Sequence, residues 1–143
     1  MNKEKRTHLK IKDYVHWSLF LHQCQSYLGW VYLLIREDQF RDFIEINTCE
    51  REEFFLIGKK IKIAFRDLFY PDKVNYAALS NKFQKLHVHF IPRYKTKRFL
   101  LDVEFIDDRW GKNYAPYNKS FKVDPNIMLH IRNQIKARID MEL

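Results

Sequence analysis

Leu86-His87-Val88-His89-Phe90-Ile91-Pro92-Arg93-Tyr94 is the stretch on which the reading of this chain turns. In an extended strand alternate side chains share a face. Leu86, Val88 and Phe90 then point to one side, toward a core, while Lys85, His87, His89, Ile91 and Arg93 point to the other. An amine, two imidazoles and a guanidinium on one face suit a phosphorus centre. A neutral imidazole is a good nucleophile and leaving group near neutral pH, and the cations balance the charge of phosphoryl oxygens. The spacing alone admits other readings. Two histidines one residue apart can ligate a metal, but a third ligand is needed, and no Cys, His or carboxylate cluster lies nearby in the sequence. They can be exposed strand residues with no chemistry. They can also border a nucleic-acid surface, with Arg93, Lys95, Lys97 and Arg98 tracking phosphates.

Working outward, residues 74–79 read as a second strand, joined to the histidine strand by a short polar segment containing Ser80-Asn81. Upstream lies a helix over residues 48–70. Asn47 is its N-cap and Glu50 its N3 residue, and Glu50, Glu52 and Glu53 complement the helix dipole. Phe54, Ile57, Ile61, Ala64, Phe65 and Leu68 form one apolar stripe, and Tyr70-Pro71-Asp72 ends the helix. Gly58 within it costs about 1 kcal/mol relative to alanine and suggests close packing. Residues 17–22 and 30–35 read as strands turned by Tyr27-Leu28-Gly29, and residues 98–105 as a further strand. Asp124-Pro125 starts a C-terminal helix over about 125–140, with Ile127, Ile131, Ile135 and Ile139 at four-residue steps. Strands and helices do not alternate regularly. The expected class is therefore α+β, with an antiparallel sheet of about five strands.

The 143 residues suit one domain, 1–143, with a core at about 14–115 and a basic, peripheral segment 1–13. The charged start, Met1 to Arg6, leads into no apolar stretch, so no signal peptide is expected. No run of about 18 apolar residues marks a membrane span. Cys24 and Cys49 are too few for a disulfide framework and read as free thiols in a reducing cytoplasm. The net charge of +8 favours polyanionic partners such as nucleotides, nucleic acid or anionic lipid.

Residues 75–81 followed by Lys85-Leu86-His87-Val88-His89-Phe90-Ile91-Pro92-Arg93-Tyr94 resemble the active-site region of the histidine triad (HIT) superfamily. The family pattern is three histidines alternating with hydrophobic residues, then two hydrophobics, often followed by Pro-Arg. Lys85 stands where the pattern has its first histidine. Leu19-Phe20-Leu21-His22 and residues 27–33 are similar to the family's first hairpin, and the 48–70 helix lies where its main helix does. Asp108-Arg109-Trp110-Gly111-Lys112-Asn113-Tyr114 resembles a tail of bacterial HIT proteins related to dinucleoside polyphosphate hydrolases.

The resemblance implies a HIT-like fold and a nucleotidyl hydrolase acting on a dinucleoside polyphosphate or related nucleoside phosphate. His87 takes the place of the histidine that attacks the α-phosphorus, with His89 and Lys85 stabilising phosphate charge. Asn81 occupies a phosphate-contact position, beside Ser80 in place of a family glycine. His22 stands where an asparagine usually borders the nucleotide pocket, and Asn75 and Arg93 are further candidates for substrate contact. Trp30 falls where several members carry a histidine, and Trp110 and Tyr114 are read as packing rather than nucleobase stacking. No tightly bound cofactor or protein-held metal is implied, only a divalent ion accompanying the substrate. A homodimer paired through the sheet edge and long helix is expected, in the cytoplasm. Two alternatives stand beside it. One is a HIT-fold nucleotide-binding protein weakened by Lys85, which cannot accept a hydrogen bond and so cannot orient His87 as a histidine would. The other is a basic RNA-binding module using residues 95–98.

Overall fold

A computed structural model describes residues 9–37 and 42–141; the charged start and His8 lie outside the described residues. The fold is α+β. Five strands, β1 (Lys10–Asp13), β2 (Trp17–Leu21), β3 (Val31–Ile35), β4 (Lys73–Ala77) and β5 (His87–Arg93), form an antiparallel sheet in the order β1-β2-β3-β5-β4. The histidine strand β5 therefore lies inside the sheet, paired with β3 on one side and β4 on the other.

Helix α1 (Thr48–Leu68) crosses one face of the sheet. It starts at the expected capping box: the Glu50 N–H donates to Asn47 Oδ1 at 2.9 Å, and the Asn47 N–H donates to Glu50 Oε1 at 2.8 Å. Phe54, Ile57, Ile61, Ala64 and Phe65 are buried and join Val88, Phe90, Leu33 and Leu86 in the main core. The face assignment for Leu86, Val88 and Phe90 therefore holds. Past the helix, Tyr70 adopts φ 52° and its N–H bonds the Phe65 carbonyl at 3.0 Å, closing the final turn. Helix α2 (Pro125–Asp140), capped by Asp124, buries Ile131, Ile135 and Ile139 in the same core.

Two expectations are corrected. Residues 98–105 are not one further strand of the sheet. They form a separate hairpin, β6 (Arg98–Leu100) and β7 (Val103–Phe105), because Leu101 and Asp102 take left-handed φ values of 49° and 66° and turn the chain. The fifth strand of the sheet is instead β1, drawn from the segment read as peripheral. Ile11, 1% exposed, enters the core between the more exposed Lys10 and Lys12. One apolar residue among charges is too short a period to register as a strand.

Candidate active site

Cross-strand partners share a face. On the sheet surface away from α1, Tyr32 of β3 sits opposite His89 and Leu34 opposite His87. The His87 and His89 ring centroids are 5.0 Å apart. His22, just past β2, brings a third imidazole to 5.7 Å from His89. These rings border a cavity of about 460 Å³. Its aromatic wall is Trp30, Tyr32, Tyr114 and Tyr117, and its facing wall is the β4–β5 connection, with Ser80, Asn81 and Lys82 between the apolar Leu79 and Phe83.

The hydrogen-bond partners set the proton on each ring. His87 Nδ1 lies 2.8 Å from the Lys85 carbonyl, which only accepts. His87 therefore carries its proton on Nδ1 and keeps a lone pair on Nε2. His89 is the reverse: the indole Nε1–H of Trp30, a donor only, donates to His89 Nδ1 at 3.0 Å. Neutral His89 then carries its proton on Nε2. His22 Nδ1 lies between the Cys24 amide nitrogen at 3.0 Å and the Cys24 carbonyl at 3.2 Å, a donor and an acceptor, so this contact leaves both tautomers open. Burial holds His89 down to a pKa of about 3, helped by repulsion from His22 and His87. Burial likewise takes His22 to about 4, against the opposing pull of the Cys24 backbone. The cluster thus sets beside each other a ring whose neutral form has its lone pair on Nε2, His87, and one whose neutral form donates from Nε2, His89.

The fold brings together only part of the residue set named from the sequence. His22, Asn81, His87 and His89 border the cavity; Lys85, Asn75 and Arg93 do not. Lys85 meets His87 through its backbone carbonyl. The partner of His87 that the sequence left open is thus a backbone carbonyl. Arg93 is neither a phosphate contact nor a solvated charge. It is 3% exposed, and all five of its N–H donors are taken. Nε and Nη2 bond the Asp107 carboxylate, Nη1 bonds Asn75 Oδ1 and the Lys112 carbonyl, and Nη2 also bonds the Arg109 carbonyl. Asn75 is spent on the same network. Arg98 likewise bonds the carbonyls of Phe69, Thr96 and Tyr70, which takes it from the phosphate track of the RNA-binding alternative.

The sequence reading missed Lys82, Phe83 and Tyr117, placed Trp30 at a family histidine position without giving it a role, and set Tyr114 aside as packing. Tyr114 does pack, 5.8 Å edge-on from Trp30, but it also borders the cavity. Trp110 stays outside, beneath the Lys95 ammonium at 5.8 Å. Among the described residues, no group of three His, Cys, Asp or Glu side chains could hold a metal ion.

This sheet, crossed by one helix and carrying paired histidines on an inner strand, defines a protein of the histidine triad class. A histidine triad protein from Marinobacter aquaeolei superposes with a TM-score of 0.77 at 18% identity, covering 98% of this chain and 96% of its own. One from Bradyrhizobium japonicum gives 0.76 at 17%, covering 97% and 96%. The Plasmodium falciparum diadenosine triphosphate hydrolase, in complex with cyclomarin A, gives 0.65 at 13%, covering 99% and 80%. At such identities the likeness is one of fold. The HIT domain model matches residues 5–96, more than half of the sequence, and the chain belongs to the HIT domain family. No curated protein sequence matches it significantly.

Proposed function

We propose that this protein is a nucleotidyl hydrolase that cleaves a dinucleoside polyphosphate or related nucleoside phosphate through a nucleotidyl-His87 intermediate. The observation that carries this reading is the opposed protonation of neighbouring rings: His87 Nδ1–H on the Lys85 carbonyl, and His89 Nδ1 capped by Trp30. His87 Nε2 attacks the α-phosphorus, forming a P–N bond as the P–O bond to the leaving phosphate breaks. His89 presents Nε2–H to the oxygens that gain charge, with Asn81 and Lys82 on the opposite wall. Water then displaces His87 from phosphorus, and the electron pair of the P–N bond returns to Nε2. Lys85 serves through its backbone, a role that survives the absence of a first histidine. A divalent ion enters only with the substrate.

The same reading includes a homodimer. Strand β4 is an outer strand, and a groove of about 380 Å³ beside it is lined by Phe43, Phe54, Phe55, Tyr76 and Phe90. Phe55 and Tyr76 are more than half exposed, and apolar surface flanking an open strand suits a second copy. Cytoplasmic residence fits two free thiols, Cys24 and Cys49. No described helix is long and apolar enough to cross a membrane.

The test incubates the protein and His87→Ala with diadenosine tetraphosphate, diadenosine triphosphate and an adenosine phosphoramidate, following AMP release and the mass of a trapped adduct. The parent is expected to release AMP and to gain a nucleotidyl mass on His87, and the variant to do neither. No turnover of any of the three by the parent would sink the hydrolase reading. AMP binding without turnover would leave a nucleotide-binding protein.

A further inference from the structure

Trp30 offers no acid, base or nucleophile, yet it is the residue most closely wrapped by the histidine cluster. It is 1% exposed. His22 lies flat on its indole, with centroids 3.6 Å apart and planes within 1° of parallel. Tyr117 and Tyr27 meet it edge-on at 4.9 and 5.7 Å. Gln25 holds the loop that carries it. Its amide donates to the His22 and Trp30 carbonyls at 2.9 and 3.0 Å, and its Oε1 accepts from the Gly29 N–H at 2.8 Å. The indole is fixed in place and angle, and its one polar atom is aimed at His89 Nδ1.

We propose that Trp30 is a positioning residue: its N–H fixes His89 in the Nε2–H form and sets the angle at which that proton meets a phosphoryl oxygen. The inference rests on the roles given above to His87 and His89. Its physical basis is the one-way chemistry of indole, which donates and never accepts. A His89 proton on Nδ1 would confront the Trp30 N–H, so both the other neutral tautomer and the imidazolium are opposed. In either, Trp30 loses its acceptor, and in the other tautomer Nε2 turns a lone pair toward the phosphoryl oxygen. The other rings around His89 are two imidazoles and a phenol. His87 and His22 face His89 at 5.0 and 5.7 Å and only repel its charged form. Tyr32 on β3 contributes a ring at 5.7 Å, and Ala77 on β4 is not titratable.

The test reads the histidine nitrogens directly. Trp30→Phe keeps a ring against His22 and removes the donor. Benzothienylalanine at position 30 keeps the indole shape with sulfur in place of N–H, so a folding failure of the phenylalanine variant does not end the experiment. With ¹⁵N-labelled imidazoles, the parent is expected to show His89 protonated on Nε2 alone. Either variant should show a mixed tautomer population, with the His89 titration moving up toward the ordinary histidine range. AMP release should fall roughly tenfold in kcat with KM little changed, the usual scale for losing the partner that orients a histidine. Tyr27→Phe trims the same aromatic cluster without touching the N–H and should leave the His89 nitrogens unaltered. Unchanged His89 nitrogens in the benzothienylalanine protein would overturn the inference whatever the activity. Altered nitrogens in a protein whose parent releases no AMP would uphold the tautomer lock and reject the hydrolase reading instead.

Discussion

Arg93 Nε lies 2.7 Å from Asp107 Oδ2, with the two side chains 4% and 0% exposed. This ion pair fastens the end of the histidine strand to the segment that carries Tyr114 to the cavity. The same carboxylate also accepts the Tyr94 and Arg109 amides, at 3.1 and 3.0 Å. A buried pair of this kind adds little net stability against an apolar substitute, but removing one partner strands the other charge.

Asp107→Asn is therefore expected to cost about 3–5 kcal/mol, because it leaves the Arg93 guanidinium buried without its counter-charge. Arg93→Lys should also destabilise, since an ammonium cannot reproduce the planar fork that meets Asp107, Asn75 and two carbonyls at once. Urea unfolding at neutral pH measures both, and a loss under about 1 kcal/mol would place the pair among weak surface bridges.

The histidine cluster makes stability fall with acid. His22 and His89 are held neutral, at about 4 and about 3, against an ordinary 6.5. The unfolded chain therefore binds protons between about 6.5 and those values that the folded one refuses. Their contribution is complete above 6.5 and is lost as pH falls, at up to about 1.4 kcal/mol per pH unit for each group. Unfolding free energies measured from pH 7.5 to 4 should decline through this window for the parent. They should decline less steeply for His89→Asn, and a variant slope equal to the parent's would contradict the assignment.

What was legible follows from how local each signal is. The inward face of the histidine strand and the whole of α1 could be read because period two, period three-to-four and the Asn47–Glu50 capping box are all short-range patterns. Strand β1 was hidden because Ile11 is the single buried residue in Lys10–Asp13. Arg93 was misplaced because its partner lies 14 residues on, beyond a hairpin. The hydrogen bond from Trp30 to His89 spans 59 positions, and no local pattern announces it. Tyr117 reaches the cavity through a tail with neither helix nor strand between β7 and α2.

Tyr117 gives a prediction about binding apart from chemistry. It borders the cavity, stands edge-on to Trp30 and touches no proton on His87 or His89 in the hydrogen-bond network. Tyr117→Ala should weaken AMP binding by about 1 kcal/mol, the worth of one aromatic contact, and should lower kcat less than Trp30→Phe does, because the Trp30 donor to His89 is kept. Calorimetric AMP titration beside turnover kinetics separates the two, and a collapse of kcat at unchanged affinity would give Tyr117 a different task.

Gly29 and Gly58 should respond to alanine with opposite signs. Gly29 sits at φ 89°, and a Cβ there would lie 2.8 Å from the Phe69 ring, inside van der Waals contact. Left-handed backbone and an overpacked ring together put the cost of Gly29→Ala at roughly 2–4 kcal/mol. The loop closed by Gln25 would shift with it, carrying Trp30 away from His89, so activity should fall alongside stability. Gly58 lies within α1, and a Cβ there would meet the Phe90 ring at 3.5 Å, an ordinary contact. The helix packs closely on β5 at Gly58, yet with room for a methyl group. Gly58→Ala should instead stabilise by about 0.5–1 kcal/mol through helix propensity. Urea unfolding of the two variants beside the parent checks both signs. Destabilisation by Gly58→Ala would mean that the α1–β5 contact cannot give even a few tenths of an ångström, and a neutral Gly29→Ala would mean that the Trp30 loop is not held as rigidly as its hydrogen bonds require.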